Sequence, residues 1–117
     1  MATITTKQVG PDNTGVITFL WETITSTNSD GQAVRVPSHT DKTVQVTGTF
    51  NGATLTLQGS NDGTTWADLT DQAGSDLDFT AAGLAVIAEN PIWIRPAQTN
   101  GSLTDVDVFL VCAPRNR

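Results

Sequence analysis

The stretch from Thr43 to Gly59 constrains this chain more than any other: two alternating runs meet at Asn51-Gly52. Val44, Val46, Gly48 and Phe50 fall on one face of an extended chain, and Gln45, Thr47 and Thr49 on the other. After the dipeptide, Ala53, Leu55 and Leu57 alternate with Thr54, Thr56 and Gln58. Successive side chains of a strand point to opposite faces, so each run predicts a strand that buries one side. Asn and Gly both tolerate positive φ, and an Asn-Gly loop favours the type I′ turn that joins hairpin strands. The expected hairpin pairs Phe50 with Ala53, Gly48 with Leu55 and Val46 with Leu57, which keeps the apolar set on one face.

The same period of two recurs along the chain. Ile17, Phe19 and Trp21 alternate with Thr18 and Leu20, and Val106, Val108, Leu110 and Cys112 form an inward set with Asp105 and Asp107 facing out. Shorter strands are expected at Ala33–Val36, Thr64–Thr70 and Leu77–Thr80. Ile92–Arg95 lies between two prolines, which predicts an edge strand or a strand end, because proline donates nothing to a ladder. Ala81–Ala88 is too short and too Gly-interrupted for a helix and reads as a turn or a strand. Turn residues cluster at Pro11-Asp12-Asn13, Asn28-Ser29-Asp30-Gly31, Ser60-Asn61-Asp62-Gly63 and Asn100-Gly101-Ser102. Short strands with frequent turns predict an all-β fold, an antiparallel β-sandwich of jelly-roll or Greek-key type with roughly eight short strands. Residues 14–117 form the sandwich, and residues 1–13 form an N-terminal arm or first strand.

Composition agrees and narrows the function classes. A chain of 117 residues is the size of one domain with one core. Charged residues make up only 15%, and the formal net charge is −6. The six basic residues, Lys7, Arg35, Lys42, Arg95, Arg115 and Arg117, are scattered, which argues against nucleic acid and against an anionic membrane surface as partners. Cys112 is the single cysteine, so no intrachain disulfide is possible, and its place in an apolar run predicts a buried, inert thiol. The opening MATITTKQVG lacks the apolar centre of a signal peptide, so the chain is expected to be made in, and to stay in, the cytosol until any later assembly.

Candidate chemistry is sparse. Ser38, His39 and Asp41 contain the letters of a hydrolytic triad, yet three near neighbours on one loop do not converge as a triad does. One Cys and one His cannot make a zinc site. Asp62, Asp68, Asp71, Asp76 and Asp78 do not follow the spacing of a helical calcium loop, although Asp76 and Asp78 share a face if extended. No enzyme, metal or cofactor is expected. The tryptophans carry more: Trp21 and Trp66 read as core, with Trp66 folding over the hairpin, whereas Trp93 faces opposite to Ile92 and Ile94 beside Arg95. Trp with Arg is a frequent composition of interface hot spots.

Gly59-Ser60-Asn61-Asp62-Gly63-Thr64-Thr65-Trp66 resembles the turn-and-tryptophan motif of discoidin-like carbohydrate-binding domains. A longer likeness runs from Asp41 to Thr104. The run from Asp41-Lys42-Thr43-Val44 to Asn61-Asp62-Gly63, then Phe79-Thr80-Ala81-Ala82-Gly83 and Glu89-Asn90-Pro91-Ile92-Trp93-Ile94-Arg95-Pro96, resembles small virion proteins of tailed bacteriophages. That resemblance implies a structural protein of the particle, a head decoration (capsid-stabilising) protein in the first place and a tail component in the second. It implies no enzymatic activity, a homo-oligomer with a trimer favoured, the major capsid protein or other virion proteins as partners, and a place on the capsid exterior. The candidate contact residues are Ala2, Ile4, Val9 and Pro11 in the N-terminal segment, and Trp93 and Arg95. A discoidin-like carbohydrate-binding module is the alternative.

Overall fold

A computed structural model describes residues 3–4, 6–11, 16–25, 30–36, 40–101 and 104–113, with the backbone course alone for residues up to 11 and for Thr23. The chain forms β1 (Thr3–Ile4), β2 (Thr6–Pro11), β3 (Ile17–Ile24), β4 (Asp30–Gly31), β5 (Val34–Arg35) and β6 (Asp41–Thr49). It continues through β7 (Thr54–Ser60), β8 (Ala67–Asp68), β9 (Asp78–Phe79), β10 (Gly83–Val86), β11 (Trp93–Thr99) and β12 (Asp105–Ala113). One sheet runs β10-β6-β12-β3-β2; the other runs β1-β4-β11-β7-β8, with β5 also on β11 and β9 also on β7. All pairs are antiparallel except β1 with β4. The fold is the expected antiparallel sandwich.

Its topology has a simple logic. β3 pairs with β12, β4 and β5 with β11, β6 with β10, and β7 with β8 and β9. These pairs are nested, as in one long hairpin whose tip is the loop between β7 and β8. Rolling that ribbon over itself sends alternate pairs into opposite sheets, which is the jelly-roll arrangement.

The ribbon corrects the hairpin expected at Asn51-Gly52. The turn itself forms: Asn51 and Gly52 have φ of 44° and 82°, and the Ala53 N–H donates to the Phe50 carbonyl at 2.8 Å. The flanking strands do not pair. β6 lies between β10 and β12, while β7 lies between β11 and the β8/β9 side, so the turn carries the chain from one sheet to the other. The reason is burial. In a flat hairpin Val44, Val46, Leu55 and Leu57 would lie side by side with no second layer over them. In the sandwich the second sheet covers each set, and all four are fully buried members of one core. Each such Leu or Val contributes roughly 1.5–3 kcal/mol of transfer free energy. Gly48, expected inward, is exposed, with φ of 125°.

The true hairpin is one turn later, where Gln58 pairs with Asp68 and Gly59 with Ala67. The Asp62 carboxylate ties its tip together, accepting the Thr64 and Thr65 N–H groups at 2.8 and 2.7 Å and the Ser60 hydroxyl at 2.8 Å. The Ser60 oxygen accepts from Gly63 N–H at 2.9 Å. The Thr65 and Thr64 amides, with Ser60 behind them, hold the Asp62 carboxyl well below the usual carboxylate range. The strand expected over Thr64–Thr70 is correspondingly shorter: Thr64 and Thr65 belong to the turn, Trp66 follows it, and only Ala67–Asp68 is strand.

Two further expectations change. Of the two readings of Ile92–Arg95 the edge gives way and the strand end holds: Trp93 opens β11, which runs to Thr99 through the middle of its sheet, between β7 and the β4/β5 side. Pro96 is tolerated there because it stands where that side is interrupted, between Ala97 opposite Asp30 and Ile94 opposite Val34. Asp30-Gly31, expected as a turn, is β4. Gly31 is required by packing: a Cβ there would meet the Pro96 ring at 2.5 Å and the Trp21 ring at 2.7 Å.

Lys42 extends the inward set of Val44 and Val46 and is only 2% exposed. Its Nζ donates to Asn90 Oδ1 at 2.5 Å, at the floor of an open cleft of about 390 Å³ that Thr40, Gln72 and Asn90 also line. Burial pushes the Lys42 amine below its usual range, against the pull of Cys112, Asp41 and Glu89. The charged form is thus the one that folding penalises. Relative to Lys42→Met, the wild type should gain stability as pH rises from this lowered value toward the ordinary 10.5. Thermal melts of both proteins across the alkaline range check this: the midpoint of wild type relative to Lys42→Met should rise with pH. A difference that stays flat or falls with pH would contradict it.

Candidate functional site

The outer face of the seven-stranded sheet gathers the chemistry. Along β11 the inward residues Ile94 and Gln98 are buried, which turns Trp93, Arg95 and Ala97 outward. On β7 the same alternation buries Leu55 and Leu57 and turns Thr56 and Gln58 outward. The register sets Arg95 opposite Gln58 and Ala97 opposite Thr56, with Asp68 of β8 beyond Gln58 and Asp78 of β9 beyond Thr56. Trp93 stands between Arg35 and Ser60.

These side chains form a connected surface. The Arg95 guanidinium lies 4.2 Å from the centroid of the Trp66 ring, and its Nε–H donates to Gln58 Oε1 at 3.0 Å. Gln58 Nε2 donates to Asp68 Oδ1 at 3.4 Å, and Thr56 Oγ1 donates to Asp78 Oδ1 at 2.9 Å. Trp93 packs against the hairpin tip, where a Cβ on Gly63 would lie 3.5 Å from its indole nitrogen. Trp66, Trp93 and Arg95 are all half-buried. Stacking and the Gln58 bond pre-set the guanidinium, so it loses little freedom on engaging a partner. Among the described residues only its Nε–H is bonded, which leaves the Nη donors outward. Such a surface offers two indole rings, a fixed cation and an amide–carboxylate pair.

Trp66 departs from expectation. Its sequence context predicts a core residue, but the turn swings it onto the outer face, where Arg95 covers it. Trp21 is core as expected, fully buried with its indole N–H donating to the Gln32 carbonyl at 2.9 Å. Cys112 is fully buried, and burial pushes its thiol up to about 12. Of the N-terminal candidates, Ala2 lies outside the described residues. Ile4 sits in β1 opposite Gly31, whereas Val9 and Pro11 sit in β2, at the edge of the other sheet. Val9 and Pro11 therefore lie in the other sheet from Trp93 and Arg95, whereas Ile4 shares their sheet, with β4 between β1 and β11. Ser38 and His39 lie outside the described residues. Asp76 bridges to Thr70, and Asp78 is engaged by Thr56. Among the described residues, no three His, Cys, Asp or Glu side chains gather as a metal site would need.

Gln58 and Lys42 do not stand out as candidates in the sequence, and Asp68 is singled out there only among the acidic residues weighed for calcium. Lys42 carries a signal all the same, its even spacing from Val44 and Val46. Gln58 and Asp68 carry none until β7, β8 and β11 are aligned.

No protein-family model and no curated protein matches the chain. Among solved structures, it is similar to BH2720 from Bacillus halodurans at 12% identity, over 87% of this chain and 65% of that one, with a TM-score of 0.45. It is similar to the K1 cleaved adhesin domain of Lys-gingipain from Porphyromonas gingivalis W83 at 7% identity, over 97% and 85%, with a TM-score of 0.42. A cupin domain from Bordetella pertussis Tohama I gives 14% identity over 96% and 97%, with a TM-score of 0.40.

Proposed function

We propose that this chain is a non-catalytic structural protein of a tailed-phage virion, a head decoration protein that docks on the capsid through the outer face of its seven-stranded sheet. The observation that carries the docking surface is Arg95 held between Trp66 and Gln58, beside Trp93. Half-buried aromatic and arginine anchors on a rigid sheet are the groups that dominate binding energy at protein interfaces. In a chain of net charge −6, a pre-set guanidinium selects a partner surface that offers a carboxylate. The likeness of Asp41–Thr104 to phage virion proteins supports the identity of that partner as the major capsid protein. Many copies on a lattice let modest single contacts sum to firm attachment.

The test uses heads from a phage lacking this gene, with the purified chain added back. Wild type should bind in regular array, visible as added density on the capsid exterior by electron microscopy. Trp93→Ala and Arg95→Ala should each weaken binding by roughly 30-fold, as hot-spot truncations do, while thermal midpoints stay close to wild type. Density on the tail instead would move the protein to a tail component, and no binding to either would sink the proposal.

A second reading has its own observation. Trp93 with the Gln58–Asp68 pair combines an aromatic plane with adjacent donors and acceptors, the composition of a sugar-binding surface. Binding on a glycan array that Trp93→Ala abolishes would favour a carbohydrate-binding module.

A further inference from the structure

We propose that two copies of this chain join edge to edge through β10, about a two-fold axis at Ala85, and so merge their five-stranded sheets into one. β10 is an edge strand, paired on one side with β6. Ile87 N–H donates to the Lys42 carbonyl at 3.0 Å, which sets the alternation along this strand. The N–H and C=O groups of Ala85 and Ile87 face β6, and those of Leu84 and Val86 face away from it. Ala88 confirms the phase, because its N–H points away from β6 to the Thr70 carbonyl at 3.0 Å. Among the described residues nothing bonds the outward groups of Leu84 and Val86. Their side chains are exposed too, Leu84 at 68% and Val86 at 39%.

Exposed edges are normally blunted by charge, proline or brevity. The other edges here follow that rule: β2 contains Lys7 and Pro11, β8 and β9 are two residues long with Asp68 and Asp78, and β1 is two residues long. β10 has no such device. From Thr80 to Ala88 the chain carries no charge at all.

A second copy fits this edge for two reasons. Antiparallel pairing centred on Ala85 sets Leu84 opposite Val86 of the other copy, and Val86 opposite its Leu84. Both are hydrogen-bonded pairs in the ladder, so every outward N–H and C=O of the two strands is satisfied. Leu84 and Val86 then meet across strands on one face, an apolar pair that stabilises the register. Charge adds the second reason. Two molecules of net charge −6 repel at most surfaces, and a nine-residue uncharged segment lets them approach. The contact is isologous and yields a dimer, unlike the trimer that the phage resemblance implies. It is independent of what the Trp93–Arg95 face binds.

Two variants leave the β6 ladder intact. Val86→Pro removes only an outward N–H, and Leu84→Lys places a charge on the edge. Sedimentation of the full chain at about 100 μM should show a dimer. Each variant should raise the dissociation constant at least tenfold while keeping the far-UV spectrum of wild type. Hydrogen exchange should show Leu84 and Val86 amides protected at high concentration and fast at low. A monomer at 100 μM would overturn the proposal. So would an oligomer that both variants leave intact, or amide protection independent of concentration, since this chain's own residues would then cover the edge.

Discussion

Gly48→Ala should lower the unfolding free energy by about 4 kcal/mol, among the larger effects of any single substitution in this chain. Gly48 holds φ at 125°, a backbone region that side chains rarely adopt, and a Cβ there would stand 2.1 Å from the Asp105 carbonyl oxygen. That oxygen is backbone, in a strand that pairs with β6 as far as Asp105 opposite Thr49, so it cannot move aside without breaking the ladder. For a domain of this size the loss corresponds to a fall of roughly 15 °C in the thermal midpoint. Gly52→Ala is the control. Gly52 also has positive φ, 82°, but nothing lies within 4 Å of its Cβ position. It should cost only the left-handed backbone penalty, about 1 kcal/mol. Equal losses for the two variants would mean that the close approach at Gly48 contributes nothing.

Trp21→Ala is the second large effect, with an expected loss of about 3–5 kcal/mol. Trp21 is fully buried between the sheets, and its indole N–H satisfies the Gln32 carbonyl. Removing the ring opens a cavity beside Gly31, whose lack of a Cβ already exists to admit that ring. Trp21→Phe separates packing from hydrogen bonding, since it keeps most of the volume and loses the donor at a cost of about 1–3 kcal/mol. Denaturant unfolding of the two variants measures both parts. A Phe variant as destabilised as the Ala variant would place the whole effect in the hydrogen bond.

Neither site is fully legible in the sequence. Alternation with Phe19 and Ile17 predicts Trp21 in the core, and it is there. The same pattern predicts Gly48 simply as a small inward member of its strand. Its true constraint comes from Asp105, more than fifty positions away along the chain, and no local pattern announces such an approach. Trp93 and Arg95 are readable as an outward pair. Trp66, the third member of that face, is not, because a turn tied by Asp62 decides which way it swings.

The sequence by itself determined which residues of the long strands face inward, Gly48 excepted, and that the chain turns at Asn51-Gly52. Val44, Val46, Leu55, Leu57, Val106, Val108, Leu110 and Cys112 all lie where the period of two sends them. Asn51-Gly52 adopts the turn its residues favour, because φ preferences and side-chain alternation are local properties. Only the tertiary structure decided which strands pair. The turn at Asn51-Gly52 is compatible both with a hairpin and with a crossing between sheets. Burial chooses the crossing, since the apolar faces of β6 and β7 are covered only when each has the other sheet over it.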